Sequence, residues 1–188
     1  MKRVLDLTFT IVLGSFAIFI CLVAAIIVWY ECRSSPFFWQ IRLGQYERPF
    51  YLLKLRTMET DTADGPSHEV GYSKILKIGG IIRAVKIDEL PQLWNVLVGD
   101  MSLVGPRPGL IMQSELIKAR RAYNVYSLLP GVSGVSQIAG ADMSVPWKLA
   151  KLDATYIGPW SALRDLKILF HTFTGKGRGD AANKSTTN

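Results

Sequence analysis

The sequence predicts an α/β protein that is mostly helical, with one N-terminal membrane helix, amphipathic interfacial helices and a small extended portion. Two observations support this: a long uncharged apolar run near the N-terminus, and apolar residues that recur at helical spacing later in the chain. A chain of 188 residues has room for one domain with attachments. We therefore divide it into a membrane helix (1–31), a domain (32–174) and a disordered tail (175–188).

The membrane helix is predicted from a run that carries no charged residue between Asp6 and Glu31. At about 1.5 Å per residue, a helix of this length is long enough to cross a hydrocarbon core about 30 Å thick. A cleaved signal peptide fits less well, because the apolar run is too long for that class and no small-x-small cleavage site follows it. We therefore interpret the run as a retained membrane element.

Basic residues on both sides of this run leave its topology open. One cluster, Lys2 and Arg3, precedes the run, and a larger one follows it. Because basic residues favour the cytoplasmic side, a single span would leave the smaller cluster on the opposite side and the domain in the cytoplasm. A re-entrant helix, bent at Gly14 and Ser15, would place both clusters on the cytoplasmic side. The residues of the larger cluster are Arg33, Arg42, Arg48, Lys54 and Arg56.

The segment after the membrane helix is predicted to be extended around a turn, because aromatic and basic residues alternate over 36–58. The polar stretch 59–71 is predicted to be a loop. Further helices are predicted over 73–85, interrupted or ended near Gly79 and Gly80, over 113–128 and 146–157, and from Ser161 onward. The composition of 146–157 is typical of a membrane interface, although an amphipathic core helix has the same pattern.

Two adjacent carboxylates, Asp88 and Glu89, precede an apolar helix that is predicted to begin near Pro91 and end near Gly99. Acidic residues at a helix start often serve only to complement the helix dipole. Two carboxylates at this point can also hold a hard cation such as Mg²⁺, which takes one or two protein carboxylates together with phosphate oxygens. Both interpretations fit the spacing.

A single arginine, Arg107, lies between Pro106 and Pro108, which restrict the backbone on either side of it. A guanidinium held in this way can present paired donors to phosphate oxygens. Lys54 and Arg56 would add positive charge. Two carboxylates, a constrained cation and a membrane helix together indicate chemistry on a diphosphate beside a membrane.

These segments together resemble the bacterial sugar transferase family, the small monotopic phosphoglycosyl transferases. The resemblance runs from about Lys2 to Thr174 and depends chiefly on the block DELPQLWNVLVGDMSLVGPRP, supported by QIRLG, KLRTM, PGVSGVSQIAG and ALRDLKIL. It implies a catalytic domain on the cytoplasmic face of the bacterial inner membrane, attached by a re-entrant helix and amphipathic helices. It also implies transfer of sugar 1-phosphate from a UDP-sugar to undecaprenyl phosphate, a polyprenyl phosphate, with Mg²⁺ and release of UMP.

The resemblance also implies roles for individual residues. Asp88 would be the nucleophile that forms a covalent phosphosugar intermediate, and with Glu89 it would hold the Mg²⁺. Arg107 would bind phosphate. The other residues expected to line the polar site are Lys54, Arg56 and Asp165. Family members usually carry Ser-Pro or a lone proline within the membrane helix, and this chain has neither.

Two other hypotheses remain open from the sequence. In one, the lipid phosphate attacks the donor directly and Asp88 is only a metal ligand. In the other, the chain is a non-catalytic, membrane-anchored module whose net charge of +7 binds anionic lipids or acidic partners. Nucleic acid is not an expected partner, because no known motif or continuous basic stripe accompanies the charge. Membrane lipids are expected partners, and homo-oligomerisation and the identity of the sugar stay open.

Overall fold

The computed structural model describes residues 1–60, 75–141 and 143–174. These residues form a mostly helical fold with a small sheet, as the sequence predicts. The predicted tail from 175 onward, and nearly all of the predicted loop over 59–71, lie outside the described residues. The helices and strands, in chain order, are α1 (Lys2–Cys32), β1 (Phe37–Leu43), β2 (Pro49–Leu55), α2 (Lys77–Ala84), α3 (Gln92–Val98), β3 (Ser102–Val104), β4 (Gly109–Leu110), α4 (Ser114–Ala122), β5 (Gly131–Ser133), α5 (Val135–Ile138), α6 (Pro146–Ala154) and α7 (Ala162–Phe173).

The strands form two small sheets. β1 and β2 pair as an antiparallel hairpin, in which Phe37 lies opposite Leu55, and β4 joins the other edge of β1. The hairpin confirms the predicted extended segment. β3 and β5 pair in parallel, a contact between distant parts of the chain that local periodicity does not predict. The buried core between these sheets and the surrounding helices includes Leu52, Val96, Met101, Leu103, Val104, Tyr156 and Ile168.

The predicted helices are confirmed with somewhat shorter bounds. α4 ends at Ala122, and the last part of its predicted range forms a 3-10 turn, Val125–Ser127. α6 ends at Ala154, and one face of it is buried: Asp153 pairs with the buried Arg120 at 2.7 Å. α7 begins directly after Ser161, whose hydroxyl accepts a hydrogen bond from the backbone N–H of Arg164. The serine is therefore the predicted helix start.

Helix α1 is 31 residues long and is long and apolar enough to cross a membrane, by length and composition. It rises about 46 Å along its axis. The helix continues through Gly14 and Ser15, where the Ser15 hydroxyl donates to the carbonyl of Val12 at 2.7 Å. Such a bond from a serine to the preceding turn often bends a helix. Side chains along the middle of α1 are exposed, among them Phe16, Phe19 and Val23.

The first turns of α1 are bound to the rest of the domain by polar contacts. Lys2 pairs with Asp165 at 2.9 Å, and Arg3 donates to carbonyl oxygens in the last turn of α3. The buried Asp6 accepts hydrogen bonds from the Ser102 hydroxyl and from the backbone N–H of Leu103. Cations near a helix C-terminus are favourable, so the Arg3 contact also complements the dipole of α3.

The last turns of α1 contact the same domain. Glu31 accepts hydrogen bonds from the first two backbone N–H groups of α2, at 2.6 Å from Lys77 and 3.2 Å from Ile78. It therefore caps α2 from outside that helix. An apolar cluster accompanies this contact, formed by Ala24, Ala25, Val28, Leu55, Leu76 and Ile82. Both ends of α1 thus lie against one domain, whereas its middle is exposed.

The predicted interruption at Gly79 and Gly80 is wrong, because α2 runs through both glycines. A side chain at Gly79 would overlap with the backbone carbonyl of Thr57, which accepts a hydrogen bond from Leu76. Gly79 is therefore required for close packing of α2 against the end of the hairpin. Gly80 has nothing within 4 Å of its side-chain position.

We predict opposite effects for the two substitutions Gly79→Ala and Gly80→Ala. The first introduces an overlap with Thr57 and should lower the free energy of unfolding by about 1–3 kcal/mol. The second adds no contact and should raise it by about 0.5–1 kcal/mol, because alanine loses less backbone entropy in a helix. Both changes in the free energy of unfolding can be measured by circular dichroism, with the wild type and the two variants in one detergent. Equal stabilisation by the two variants would contradict the packing of α2 against Thr57.

Candidate active site

The β1–β2 hairpin contributes two cations to one face. Lys54 lies near the end of β2, and Arg42 lies in β1 with its side chain buried. The Arg42 guanidinium donates to the side-chain oxygen of Gln40 and, at 3.1 Å, to the backbone carbonyl of Pro108. It therefore connects the hairpin to the segment that follows Arg107.

Asp88 and Glu89 lie in a 3-10 turn, Ile87–Glu89, between α2 and α3. Lys86 has a left-handed backbone (φ 60°), and this reverses the chain between α2 and the turn. Pro91 then precedes α3, and Gly99 ends α3 with φ 101°. The prediction that both carboxylates stand just before this helix is confirmed.

The segment that carries Arg107 is held backbone to backbone against β5. Gly105 donates its N–H to the carbonyl of Ser133 at 2.8 Å, and Gly131 donates to that of Pro106 at 2.9 Å. A side chain at Gly131 would overlap with the Gly105 backbone, so this approach requires glycine. The two motifs VGPRP and PGVSG are therefore parts of one structure that fixes the position of Arg107.

Arg107 and Glu89 form a salt bridge, with Nη2 at 2.9 Å from Oε1. Within the described part of the chain, Asp88 accepts no hydrogen bond and forms no salt bridge. The neighbouring carboxylates are therefore in different environments: Glu89 is paired, and Asp88 has a carboxylate available for a ligand.

The pKa values of the two carboxylates shift in opposite directions. Burial and then the charge of Glu89 raise the pKa of Asp88, and the opposing charges of Lys54, Arg107 and Arg83 only partly offset this rise. Burial alone would also raise the pKa of Glu89, but Arg107 and Lys54 act more strongly together and hold it below its ordinary value. Relative to an ordinary side chain of its own kind, Asp88 thus binds a proton more readily and Glu89 less readily.

Lys54 belongs to the same electrostatic cluster. Burial, followed by the charge of Arg107, lowers the pKa of Lys54 to about 8, although Glu89 and Asp88 act in the opposite direction. Four predicted site residues are thus brought together: Lys54, Asp88, Glu89 and Arg107. A small pocket beside them is lined by Arg42, Leu52, Lys54, Gln92, Arg107, Pro108, Gly131 and Val132.

Two predicted site residues have other contacts. Arg56 donates to the carbonyl of Ser35 at 2.9 Å, and its guanidinium lies over the ring of Phe38. The buried Asp165 accepts hydrogen bonds from Tyr156 at 2.5 Å and from Trp160 at 2.9 Å, in addition to its pair with Lys2. In the described part of the chain, neither side chain forms a hydrogen bond or salt bridge with the four clustered residues.

Sequence reasoning missed three residues around the cluster: Arg42, Gln92 and Arg83. Gln92 lies within the DELPQ block and is buried at the start of α3. Gln40 and Arg42 are buried in β1, whereas the apolar Trp39 and Ile41 between and beside them are exposed. Alternation along a strand would have placed the apolar pair inside, so the pattern in this strand indicates the opposite arrangement. Arg83 follows from no comparable signal, because its proximity to Asp88 depends on the turn at Lys86.

The described residues contain no group of three or more His, Cys, Asp or Glu side chains that could hold a metal ion. Asp88 and Glu89 provide hard carboxylate oxygens on adjacent residues. Mg²⁺ usually takes one or two carboxylates and completes its coordination with water and substrate phosphates. The chemistry of this pair fits Mg²⁺ on those terms, with substrate oxygens as further ligands.

Comparison with known proteins supports the resemblance. The sequence profile of the bacterial sugar transferase family matches residues 1–177. In Bacillus subtilis (strain 168), a protein named uncharacterized sugar transferase EpsL is 41% identical over 171 residues, which cover 90% of this chain and 83% of the relative. The UDP-glucose:undecaprenyl-phosphate glucose-1-phosphate transferase of Caulobacter vibrioides is 38% identical over 180 residues, which cover 91% of this chain and 67% of the relative.

A third relative is much longer than this chain. The undecaprenyl-phosphate glucose phosphotransferase of Komagataeibacter xylinus is 34% identical over 187 residues, which cover 91% of this chain but only 35% of the relative. These relatives are named as transferases, which argues against the hypothesis of a non-catalytic binding module. On the profile match and the two shorter relatives, the chain belongs to the bacterial sugar transferase family and is an enzyme of this type.

Proposed function

We propose that this enzyme transfers a sugar 1-phosphate from a UDP-sugar to undecaprenyl phosphate or a related polyprenyl phosphate, and releases UMP. The names of the Caulobacter and Komagataeibacter relatives support this donor and acceptor chemistry. The contrast between the two carboxylates carries the proposal: Glu89 is paired with Arg107, and Asp88 has no such partner among the described residues. Opposite pKa shifts in neighbouring groups are typical of a site where the two have different roles.

In the first step, an oxygen of Asp88 attacks the phosphorus that carries the sugar. A bond forms between that oxygen and phosphorus, the bond from phosphorus to the UMP oxygen breaks, and its electron pair leaves with UMP. An ionised carboxylate needs no separate base for this attack. The positive charges of Lys54 and Arg107 offset the repulsion between the carboxylate and the diphosphate.

In the second step, the lipid phosphate attacks the same phosphorus and the electron pair of the broken bond returns to Asp88. A covalent intermediate allows a water-soluble donor and a membrane-bound acceptor to use one small site in turn. Asp88 and Glu89 would hold Mg²⁺, which when bound neutralises phosphate charge. In the alternative, direct attack by the lipid phosphate, no intermediate forms on Asp88.

We further propose that α1 enters the cytoplasmic leaflet and returns to the same face, so that membrane lipids are its partners. Both ends of the helix contact one domain, through Lys2 and Arg3 at its start and Glu31 at its end. A helix that crossed the bilayer would separate these ends. The exposed apolar middle then faces lipid, and both basic clusters stay on the side that the positive-inside rule favours.

The first prediction from this proposed function tests the nucleophile. With a UDP-sugar and no lipid, the wild-type enzyme should release one UMP per active site and carry a phosphosugar on a peptide that contains Asp88. Asp88→Asn should abolish both and lower turnover about 10³-fold or more, because an amide is a poor nucleophile. The adduct is measured by mass spectrometry of the quenched enzyme. The burst and the turnover are measured by a UMP assay over a panel of UDP-sugars, beginning with UDP-glucose.

The matched control is Asp100→Asn, which removes a partly exposed carboxylate in the turn after α3. This variant should retain both the burst and the adduct. An active Asp88→Asn enzyme would rule out the nucleophile. A wild-type enzyme that turns over but shows no adduct at any time would favour direct attack by the lipid phosphate.

A second prediction concerns pH. Lys54 loses its proton as pH rises through its lowered pKa of about 8, so kcat/KM for the donor should fall above that pH. Lys54→Arg keeps its charge to a much higher pH, and its kcat/KM should stay flat up to about pH 10. Initial rates at low donor concentration from pH 6 to 10 measure this. An identical fall near pH 8 in the arginine variant would assign the titration to another group.

The third prediction concerns topology. A cysteine introduced at the N-terminus of a Cys21→Ser, Cys32→Ser background should react with a membrane-impermeant maleimide only from the side on which the domain lies. Inverted and right-side-out vesicles provide the two directions, and a cysteine at Asp100 marks the domain side. Labelling of the N-terminus from the opposite side would establish a single span.

A further inference from the structure

Arg83 is a third cation that acts on Asp88, in addition to Lys54 and Arg107. It lies in the last turn of α2 and is partly exposed. Among the described residues its guanidinium makes one hydrogen bond, from Nη2 to the sulfur of Met58 at 3.7 Å. A thioether is a weak acceptor, so no carboxylate or carbonyl oxygen in this part of the chain satisfies the Arg83 donors.

Arg107 differs in this respect, because it is already paired with Glu89 at 2.9 Å. Arg107 and Lys54 also line the pocket that contains Arg42 and Gln92. They therefore lie on the hairpin side of the carboxylates. Arg83 is attached to a different element, α2, and within residues 1–60, 75–141 and 143–174 only the Met58 sulfur accepts a hydrogen bond from it.

Helix α2 packs against the C-terminal half of α1. Ile82, next to Arg83 in sequence, is buried in the cluster with Ala24 and Val28, and Ile87, next to Asp88, packs against the same cluster. Arg83 and Asp88 are therefore both adjacent to residues that contact the membrane element. Nearby on α1, Trp29 and Tyr30 are exposed, as aromatic residues at a membrane–water interface are.

The second step of the proposed reaction requires the lipid phosphate to approach Asp88. An oxygen of the lipid phosphate forms a bond to phosphorus, the bond from phosphorus to the Asp88 oxygen breaks, and its electron pair restores the carboxylate. No proton is transferred if the lipid phosphate is fully ionised. Two anions must approach one another, so a cation at the incoming phosphate would lower the barrier.

The polyprenyl chain of the acceptor also limits where its phosphate can enter. The nucleotide part of the donor can occupy the pocket on the hairpin side, whereas a polyprenyl chain must remain in the lipid. A phosphate attached to that chain reaches Asp88 most directly past α1 and α2. Arg83 belongs to α2, next to a residue that packs against α1, and its charge acts on Asp88.

We propose that Arg83 binds the phosphate of the lipid acceptor during the second half of the reaction. This proposal rests on the proposed function, and it adds a residue specific to the acceptor. It assigns the cations different ligands: Lys54 and Arg107 bind the donor diphosphate, and Arg83 binds the incoming lipid phosphate. A merely structural Arg83, which holds α2 to the segment around Met58, would affect both halves together.

The test measures the two halves separately, with the full chain in nanodiscs. The first half is the UMP burst without lipid, with the UDP-sugar on which the wild-type enzyme acts. The second is the loss of the preformed Asp88 adduct as undecaprenyl phosphate is added. Three variants are compared with the wild type: Arg83→Gln removes the charge, Arg83→Lys keeps it, and Lys77→Gln removes an exposed cation elsewhere on α2.

For Arg83→Gln we expect a burst of wild-type amplitude, with a rate within about twofold. The concentration of undecaprenyl phosphate that gives half-maximal loss of the adduct should rise roughly 10- to 100-fold, the effect of one lost charge-assisted hydrogen bond. Arg83→Lys should recover part of this loss. Lys77→Gln should match the wild type and so exclude a general effect of charge at the membrane surface.

Three results would overturn the assignment: an unchanged dependence on undecaprenyl phosphate in Arg83→Gln, a burst slowed in proportion to the loss of the adduct, or an equal effect in Lys77→Gln. If Arg83→Gln does not fold, the folded Arg83→Lys variant must still show a weakened acceptor dependence with a normal burst. A wild-type enzyme without any burst would instead refute the proposed function, so the two failures are distinguishable.

Discussion

The salt bridge between Glu89 and Arg107 is the contact on which the site depends. Without it, Asp88 and Glu89 would be two equivalent buried carboxylates, each raising the pKa of the other. With it, Glu89 stays ionised and occupied, and Asp88 remains available. The salt bridge in turn requires Arg107 to be fixed, and the backbone contact between Gly105 and Gly131 provides this. A side chain at either glycine would move the guanidinium, although neither residue touches the carboxylates.

Contacts within the fold connect the apolar helix α1 to Asp88. Glu31, at the end of α1, caps α2, and α2 passes through the Lys86 turn into Asp88. At the other end of α1, Lys2 and Asp6 join buried hydrogen bonds around Asp165 and Ser102. The position of the apolar helix therefore sets the position of α2, and with it that of Asp88. The reaction proposed above, with one soluble and one lipid substrate, would require Asp88 to be fixed in this way relative to α1.

Residues close in sequence, or within one specific motif, were predictable, and those positioned by tertiary contacts were not. Asp88 and Glu89 were predictable because a local turn sets their relation to α3. The actual contacts of Asp165 were not, because a buried aspartate in an ion pair and one that lines a polar site look alike in sequence. Arg56 was expected to lie with Lys54, but it follows the last residue of β2 and turns toward Ser35. The predicted interruption of α2 was wrong for a related reason. Helix propensity disfavours glycine, but the packing of α2 against Thr57 requires Gly79.

The residues around the two carboxylates carry an excess of positive charge, which favours anionic ligands. The cations Lys54, Arg42, Arg107 and Arg83 act on this cluster, which contains the two carboxylates Asp88 and Glu89. Arg83, with only a thioether as a hydrogen-bond partner in the described part of the chain, adds to this excess. In the proposed reaction, an incoming phosphate would relieve the repulsion among these cations, so its binding would be favoured before any bond forms. The same positive charge would offset the repulsion between the phosphate and the negative Asp88, which is the main electrostatic obstacle to the proposed use of a carboxylate as the nucleophile.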